Sequence, residues 1–340
     1  MRLLVCTQVL DRNDPYLGFF HAWVEELSTH FEKITVICLK EGSHALPENV
    51  RVLSLGKENN SSRPARLWRL LHYAASHRGE YDAVFVHMNQ EYILAAGWLW
   101  KFFGKRIYLW RNHYAGSVLT DIAAAFCTKV FCTSKFSYTA KYAKTELMPI
   151  GVNTTLYRDT GAVRKPRSIL FYARMSPSKR PDILVEALGL LQQRGVAFVA
   201  DIYGTPLHKD EEFLAKLKRR VEGLGFADVV TFYPGTAPAD GPAIFSAHEI
   251  FVNLGASGMY DKTLFEAAAC ECLVVAASKD WTDLVDGTVV TDEISLAGIL
   301  EKELSLTESE KQAQKASLRR AVEDNSLEKL GERLASALRA

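Results

Sequence analysis

Ser168-Ile-Leu-Phe-Tyr172, Ala173-Arg-Met-Ser-Pro-Ser-Lys-Arg180 and Pro181-Asp-Ile-Leu-Val-Glu-Ala-Leu-Gly-Leu-Leu-Gln-Gln193 follow one another without a break. The first is a short apolar run, the second a polar basic loop, and the third carries apolar residues at helical spacing, so the stretch reads as strand, loop and helix. The same unit recurs on both sides. Strand candidates at 3–6, 34–38, 50–53, 83–86, 107–110, 130–132 and 147–150 precede it, with helix-period segments such as 19–27, 67–76 and 92–103 between several of them. Further strands at 198–203, 229–232, 250–254 and 273–276 follow, alternating with helices at 210–224, 263–270, 294–303 and from Glu308 onward. Such alternation predicts parallel sheets joined by right-handed crossovers. The polar stretch from Tyr157 to Arg167 reads as a linker. The expected fold class is therefore α/β, with two doubly wound parallel-sheet domains at 1–160 and 161–340.

Bulk composition narrows the function. The chain has 340 residues, 48% of them hydrophobic, enough for sizeable cores. Its 41 Lys and Arg against 40 Asp and Glu argue against a dedicated nucleic-acid binder, which is normally basic overall. The halves differ in sign: residues 1–160 hold 19 Lys and Arg against 14 Asp and Glu, residues 161–340 hold 22 against 26. Met1 to Gln8 runs straight into a strand pattern without a signal-peptide hydrophobic region, and Tyr92 to Phe103 is too short to span a bilayer, so a cytoplasmic protein is expected. The six cysteines form no Cys-x-x-Cys pair and read as reduced, buried thiols.

In open parallel sheets, ligands bind beyond the carboxyl ends of the strands. Two loops at such ends suit a diphosphate. Arg174 and Lys179 flank the first, before the helix at 181. In the second, Gly255-Ala-Ser-Gly-Met-Tyr-Asp-Lys-Thr263, the glycines let backbone N–H groups approach a ligand, Asp261 caps a helix, and Lys262 stands in its first turn.

Together these loops resemble the retaining glycosyltransferases of family 4, the glycosyl transferases group 1, whose GT-B architecture sets two Rossmann-like domains face to face across a cleft. The similarity runs through Pro149-Ile-Gly-Val-Asn153, Ala173-Arg174 to Lys179-Arg-Pro-Asp182, Ile202-Tyr-Gly-Thr-Pro206 and Val230-Thr-Phe-Tyr-Pro-Gly235. It continues through Leu264-Phe-Glu-Ala-Ala-Ala-Cys270, Leu273 to Ser278 and Leu284-Val-Asp-Gly287. The resemblance implies that Arg174 and Lys179 bind the donor diphosphate and Glu266 the ribose hydroxyls. The segment from Tyr233 to Gly235 would lie near the base. The backbone from Gly258 through Met259, Tyr260, Asp261 and Lys262 would contact the sugar and distal phosphate, with Gly204 and Thr263 counted among the donor contacts. Gly18 sits where the family has its glycine-rich first loop, and His113 where it places polar groups near the transferred sugar. No metal and no cofactor are implied beyond the nucleotide-sugar substrate, and the last helix, 326–338, is expected to return to the first domain.

One departure bears on mechanism. The family pairs two glutamates with seven residues between them, and the first position is here Gly258. Either Asp261 takes over the sugar-hydroxyl contact with Lys262 adding a phosphate contact, or sugar recognition is altered. Ala173 and Arg180 also stand where the family has glycines.

In the first half, His87 and His113 follow strands, with His113 favoured by its neighbours Arg111 and Asn112. Asp11-Arg-Asn-Asp14 has the wrong spacing for an Asp-x-Asp metal site, and the sequence leaves His21 facing either cleft or core. Arg63 to Arg78 reads as a crossover helix with a basic face, or as a peripheral contact with anionic lipid. The expected function is metal-independent transfer of a hexose-type sugar from a nucleotide-diphosphate donor to a glycan or lipid-linked hydroxyl, donor on the second domain and acceptor on the first. A hinge near residue 160 would allow closure over the donor. A non-catalytic nucleotide-sugar binding protein and a sugar-nucleotide epimerase of similar architecture remain as alternatives. A dinucleotide-dependent oxidoreductase is disfavoured, since Thr7 to Gly18 contains no Gly-x-Gly-x-x-Gly.

Overall fold

Apolar residues that alternate between two buried faces set the architecture. In a computed structural model of the chain, which describes residues 1–14, 16–258 and 260–340, β1 (Arg2–Leu10) sends Leu3 and Val5 to one face of a sheet and Leu4 and Cys6 to the other. Burial on both sides is what makes its sequence continuously apolar. Next come α1 (Phe19–Ser28), β2 (Lys33–Glu41), β3 (Val50–Ser54), α2 (Arg63–Ser76), β4 (Ala83–His87) and α3 (Glu91–Phe102). β5 (Arg106–Trp110), α4 (Val118–Phe126), β6 (Lys129–Cys132) and β7 (Thr145–Leu147) complete the first run. All seven strands are parallel, in the order β3-β2-β1-β4-β5-β6-β7.

The second run is β8 (Ser168–Tyr172), α5 (Pro181–Gln193), β9 (Val199–Tyr203), α6 (Glu211–Gly223), β10 (Val230–Tyr233), α7 (Gly241–Ser246) and β11 (Ile250–Asn253). α8 (Lys262–Ala269), β12 (Leu273–Ala276), α9 (Lys279–Val285), α10 (Glu293–Ser305), α11 (Glu308–Asp324) and α12 (Leu327–Arg339) follow. Its five strands are parallel, in the order β10-β9-β8-β11-β12. Ile169, Phe171, Ile250 and Val252 point into a core closed by α5, α6 and α10. Phe251 points the other way, edge-on to Phe245 of α7 at 5.4 Å.

The chain divides into two compact units. Unit 1 comprises Met1–Gly151 with Leu327–Ala340, and unit 2 comprises Val152–Ser326. The helical tail is thus two helices with separate loyalties. α11 packs on α8 in unit 2, whereas α12 lies beside α1 and buries Leu330, Leu334 and Leu338 in the unit 1 core. Tyr108 fastens α12 by donating to the Leu338 carbonyl at 3.1 Å, and Arg106 by donating to the Arg339 carbonyl at 2.9 Å. The polar stretch read as linker is held on unit 2. Tyr157 is buried there, and Arg164 donates to the carbonyls of His248 at 2.8 Å and Cys270 at 2.9 Å. All six cysteines are unbridged and buried. No helix among the described residues is long and apolar enough to cross a membrane.

Candidate functional site

The strand order of unit 2 grows outward in opposite directions from β8 and β11. The loops after these two strands therefore diverge and leave a crevice at the carboxyl edge of the sheet. Lys179 comes from the first loop and Asp261 from the second, and the Lys179 ammonium donates to Asp261 Oδ2. Both side chains keep only about a fifth of their surface exposed, at 19% and 20%. Burial pulls the Asp261 pKa upward, but the Lys179 charge and the hydrogen bonds it accepts outweigh this and hold it at about 2.

Asp261 is also the N-cap of α8, Oδ1 accepting from the Thr263 N–H at 3.3 Å and the Thr263 hydroxyl at 3.0 Å. Behind it stands Asn253, buried at the end of β11. Its Nδ2 donates to the Thr263 hydroxyl at 3.0 Å, and its Oδ1 accepts from the Gly255 N–H at 2.9 Å. The polar chain from Gly255 to Lys179 is continuous, so each group orients the next.

Lys262 opens α8 and Glu266 follows one turn later. Burial drives the Lys262 ammonium down and the Glu266 carboxyl up, and their mutual attraction holds each part-way back. Arg174 is half-buried in the loop directly after β8. Arg180, where the resemblance expects glycine, has φ 53° and ψ 43°, so the turn does need a left-handed residue and arginine adopts it at a cost of about 1 kcal/mol.

Gly258 explains the missing glutamate. Its φ is +90°, a conformation in which a glutamate would be strained, and its N–H donates to Asp280 Oδ2 at 2.7 Å. Two more bonds fasten the same loop to the start of α9: Lys279 N–H to Ser257 Oγ at 2.8 Å, and the Tyr260 hydroxyl to the Asp280 carbonyl at 3.4 Å. Tyr260 is itself buried, edge-on to Phe265 at 5.1 Å. Its side chain therefore holds the loop in place. Met259 lies outside the described residues.

On the other side of β8, the strand ends form an aromatic ladder. Tyr172, Tyr203 and Tyr233 are the last residues of β8, β9 and β10 and stand in register. Ring centroids are 6.0 Å apart from Tyr172 to Tyr203 and 4.4 Å, stacked, from Tyr203 to Tyr233. The Gly235 N–H donates to Thr205 Oγ1 at 2.9 Å, tying the next two exits together. At Gly204 a Cβ would lie 1.9 Å from the Ala173 carbonyl, so only glycine lets the β9 exit pass this close to the β8 loop.

Comparison with known proteins gives the family and the fold. The sequence profile of the glycosyl transferases group 1 matches residues 153–333, more than half of the chain and nearly all of unit 2. The chain belongs to this family. A D-inositol 3-phosphate glycosyltransferase from Salinispora tropica is 30% identical over 131 residues, 37% of this chain and 26% of that protein. Matches to the curated relatives span 26% to 37% of their length. Anabaena HepE, solved with UDP, superposes over 100% of both chains with a TM-score of 0.81 at 17% identity. Sucrose-phosphate synthase from Thermosynechococcus elongatus does so over 100% of this chain and 98% of that one, at 0.80 and 15%. The fold is the GT-B class expected from the motifs.

In this member of the family the expected donor residues lie on unit 2, while Gly18 and His113 belong to unit 1. Gly18 caps α1, its N–H donating to the Asp14 carbonyl at 3.0 Å. Asp11 and Asp14 spend their carboxylates on turn N–H groups: Asp11 accepts from Asn13 at 3.0 Å, Asp14 from Tyr16 and Leu17 at 2.9 Å each. His113 is half-buried after β5, its Nδ1 accepting from the Ala115 N–H at 2.9 Å and its ring stacked on Tyr114 at 4.5 Å. His21 is buried, with Nε2 accepting from the Ala45 N–H at 3.1 Å, so it faces the unit 1 interior. His87 is also buried, stacked on Phe20 at 4.0 Å and 3.3 Å from the Thr7 hydroxyl. Among the described residues, no group of three or more His, Cys, Asp or Glu could hold a metal.

The sequence reading missed Asn253, Asp280 and two rungs of the ladder, Tyr172 and Tyr203. Comparing the ends of successive strands, Phe-Tyr172, Ile-Tyr203 and Phe-Tyr233, would have exposed the ladder. An asparagine closing a buried apolar strand was a signal as well. Asp280 left none, since only the fold brings it to Gly258.

Proposed function

We propose that this group 1 glycosyltransferase is a retaining, metal-independent enzyme that moves a hexose-type sugar from a nucleotide-diphosphate donor held on unit 2 to a glycan or lipid-linked hydroxyl. The observation that carries the reading is the meeting of Lys179, from the loop that also carries Arg174, with the N-terminus of α8 at the unit 2 switch point. There, cations and backbone dipoles meet the charge that builds on a departing diphosphate. Lys262 supports the same phosphates, Glu266 takes the ribose hydroxyls, and the tyrosine ladder lies beside the base. Asp261 stays ionised at every pH of interest and faces the sugar as a hydroxyl acceptor. A front-face reaction, with the leaving phosphate assisting deprotonation of the acceptor, needs no carboxylate nucleophile. On unit 1, His113 serves the acceptor side. Six buried, unbridged thiols suit the reducing cytoplasm.

Calorimetric titration with UDP, GDP and ADP tests the donor site. UDP leads because the HepE structure holds it. The cognate nucleotide binds wild type, and Lys179→Ala and Glu266→Ala each weaken it by about 10-fold or more, the value of a charge-assisted contact. Unchanged affinity in both variants removes the assignment. Transfer from the matching sugar donor, with D-inositol 3-phosphate (named for the Salinispora relative) among the acceptors, separates an enzyme from a binding protein. Epimerised free donor would indicate an epimerase.

A further inference from the structure

The layer formed by α2, α3 and α4 covers one face of the unit 1 sheet, and its inward residues, among them Leu70, Ala74, Ile93 and Trp100, account for its folding. Its outward residues are apolar too. Leu67 and Trp68 of α2 are 47% and 64% exposed, Trp98 and Phe102 of the adjacent α3 56% and 81%, and Val118 of α4 72%. Packing explains none of these, because each points away from the core it flanks. Trp68 rests one ring face on His72, 4.9 Å away on its own helix.

Cations accompany the rings. Arg63 and Arg66 lie on α2, and Lys101 stands between Trp98 and Phe102 in the last turn of α3. α2 has no acidic residue, and α3 has only Glu91, at its opposite end. Unit 1 as a whole carries 21 Lys and Arg against 15 Asp and Glu. Amphipathic aromatic rings beside cations match the headgroup region of an anionic bilayer, where rings settle at the interface and cations meet phosphates. A solvated crossover helix needs the cations but not two exposed tryptophans and a phenylalanine.

We propose that the outer face of α2 and α3, around Trp68, Trp98 and Phe102, is a docking surface for an anionic lipid bilayer. It holds unit 1 peripherally. The cations supply attraction that salt screens, and the rings supply burial that it does not.

Flotation of the full chain with vesicles tests this, using phosphatidylcholine alone and a one-to-one mixture with phosphatidylglycerol. The wild type floats with the mixed vesicles at low salt, not with phosphatidylcholine, and is released as salt rises. Removing three cations (Arg63→Gln, Arg66→Gln, Lys101→Gln) lowers the partition by on the order of 100-fold, about fivefold for each. Replacing the rings (Trp68→Ser, Trp98→Ser, Phe102→Ser) abolishes flotation while thermal melting and nucleotide binding stay as in wild type. Failure of the wild type to float overturns the proposal, as does flotation that ignores both triple variants. A wild-type dimer that the ring variant converts to monomer, without vesicle binding by either, assigns the face to a second copy instead.

Discussion

The two sheets reverse their strand order at equivalent places, between β1 and β4 in unit 1 and between β8 and β11 in unit 2, yet fill those places with opposite chemistry. In unit 1, His87 ends β4 beside Thr7 of β1 and is sealed under Phe20 and Trp23. In unit 2, the Lys179–Asp261 pair, the α8 terminus and the Lys262–Glu266 pair keep the corresponding crevice polar and partly open. Topology alone therefore provides a place where a ligand can bind, and side chains decide whether the place is a site. The backbone marks both. Met88, just beyond His87, has φ +65°, and Arg180 and Tyr260 in unit 2 have φ +53° and +44°.

Substitutions at the two places should give opposite readouts. His87→Ala removes a ring packed on Phe20 and Trp23 and should lower unfolding stability by about 3 kcal/mol. Urea denaturation measures this, and nucleotide affinity should not move. A loss of nucleotide affinity without loss of stability would erase the contrast. Asp261→Asn should cost about 2 kcal/mol, the value of holding its pKa at about 2 against an ordinary carboxylate. Because the folded value is the depressed one, this stability is whole above about pH 4 and is lost as pH falls toward 2, so the variant's deficit should shrink in acid. Denaturation at stepped pH follows it.

Lys262 sharpens the comparison through pH. Burial lowers its pKa, and a bound diphosphate would raise it again. Nucleotide affinity should therefore fall, by at most about tenfold per pH unit, as pH rises from neutrality toward the ordinary lysine value of about 10.4. Titrations of wild type and Lys262→Met should diverge at the neutral end and converge at the alkaline end. Smallest is Arg180→Gly, which relieves a left-handed arginine and should raise the melting stability by up to about 1 kcal/mol. A destabilised Arg180→Gly would mean that its side chain holds the loop.

Much of this was legible in the sequence because its causes are local. Strands buried on both faces read as continuous apolar runs, and the loops at 173–180 and 255–263 carried their own charges and glycines. What was not legible depends on long-range neighbours. Asp261 was readable as a cap, but not as the partner of Lys179, 82 residues away. His87 could not be told from a general base until Phe20 was seen stacked against it. The stretch from Tyr157 to Arg167 reads as a linker by composition, and long-range contacts such as those of Tyr157 and Arg164 attach it to unit 2.

The return of α12 to unit 1 has a consequence for synthesis on the ribosome. The strands of unit 1 emerge first, but the helix that covers Leu3, Val5 and Tyr108 is translated after the whole of residues 152–326. The unit that begins second is thus the first to have all its parts, and the unit that begins first keeps one apolar face only half covered until residues 327–340 have been made. A chain truncated after Ser326 should retain a foldable unit 2 and expose that face, making chaperone dependence and aggregation properties of the early unit rather than of the one that carries the Lys179–Asp261 pair.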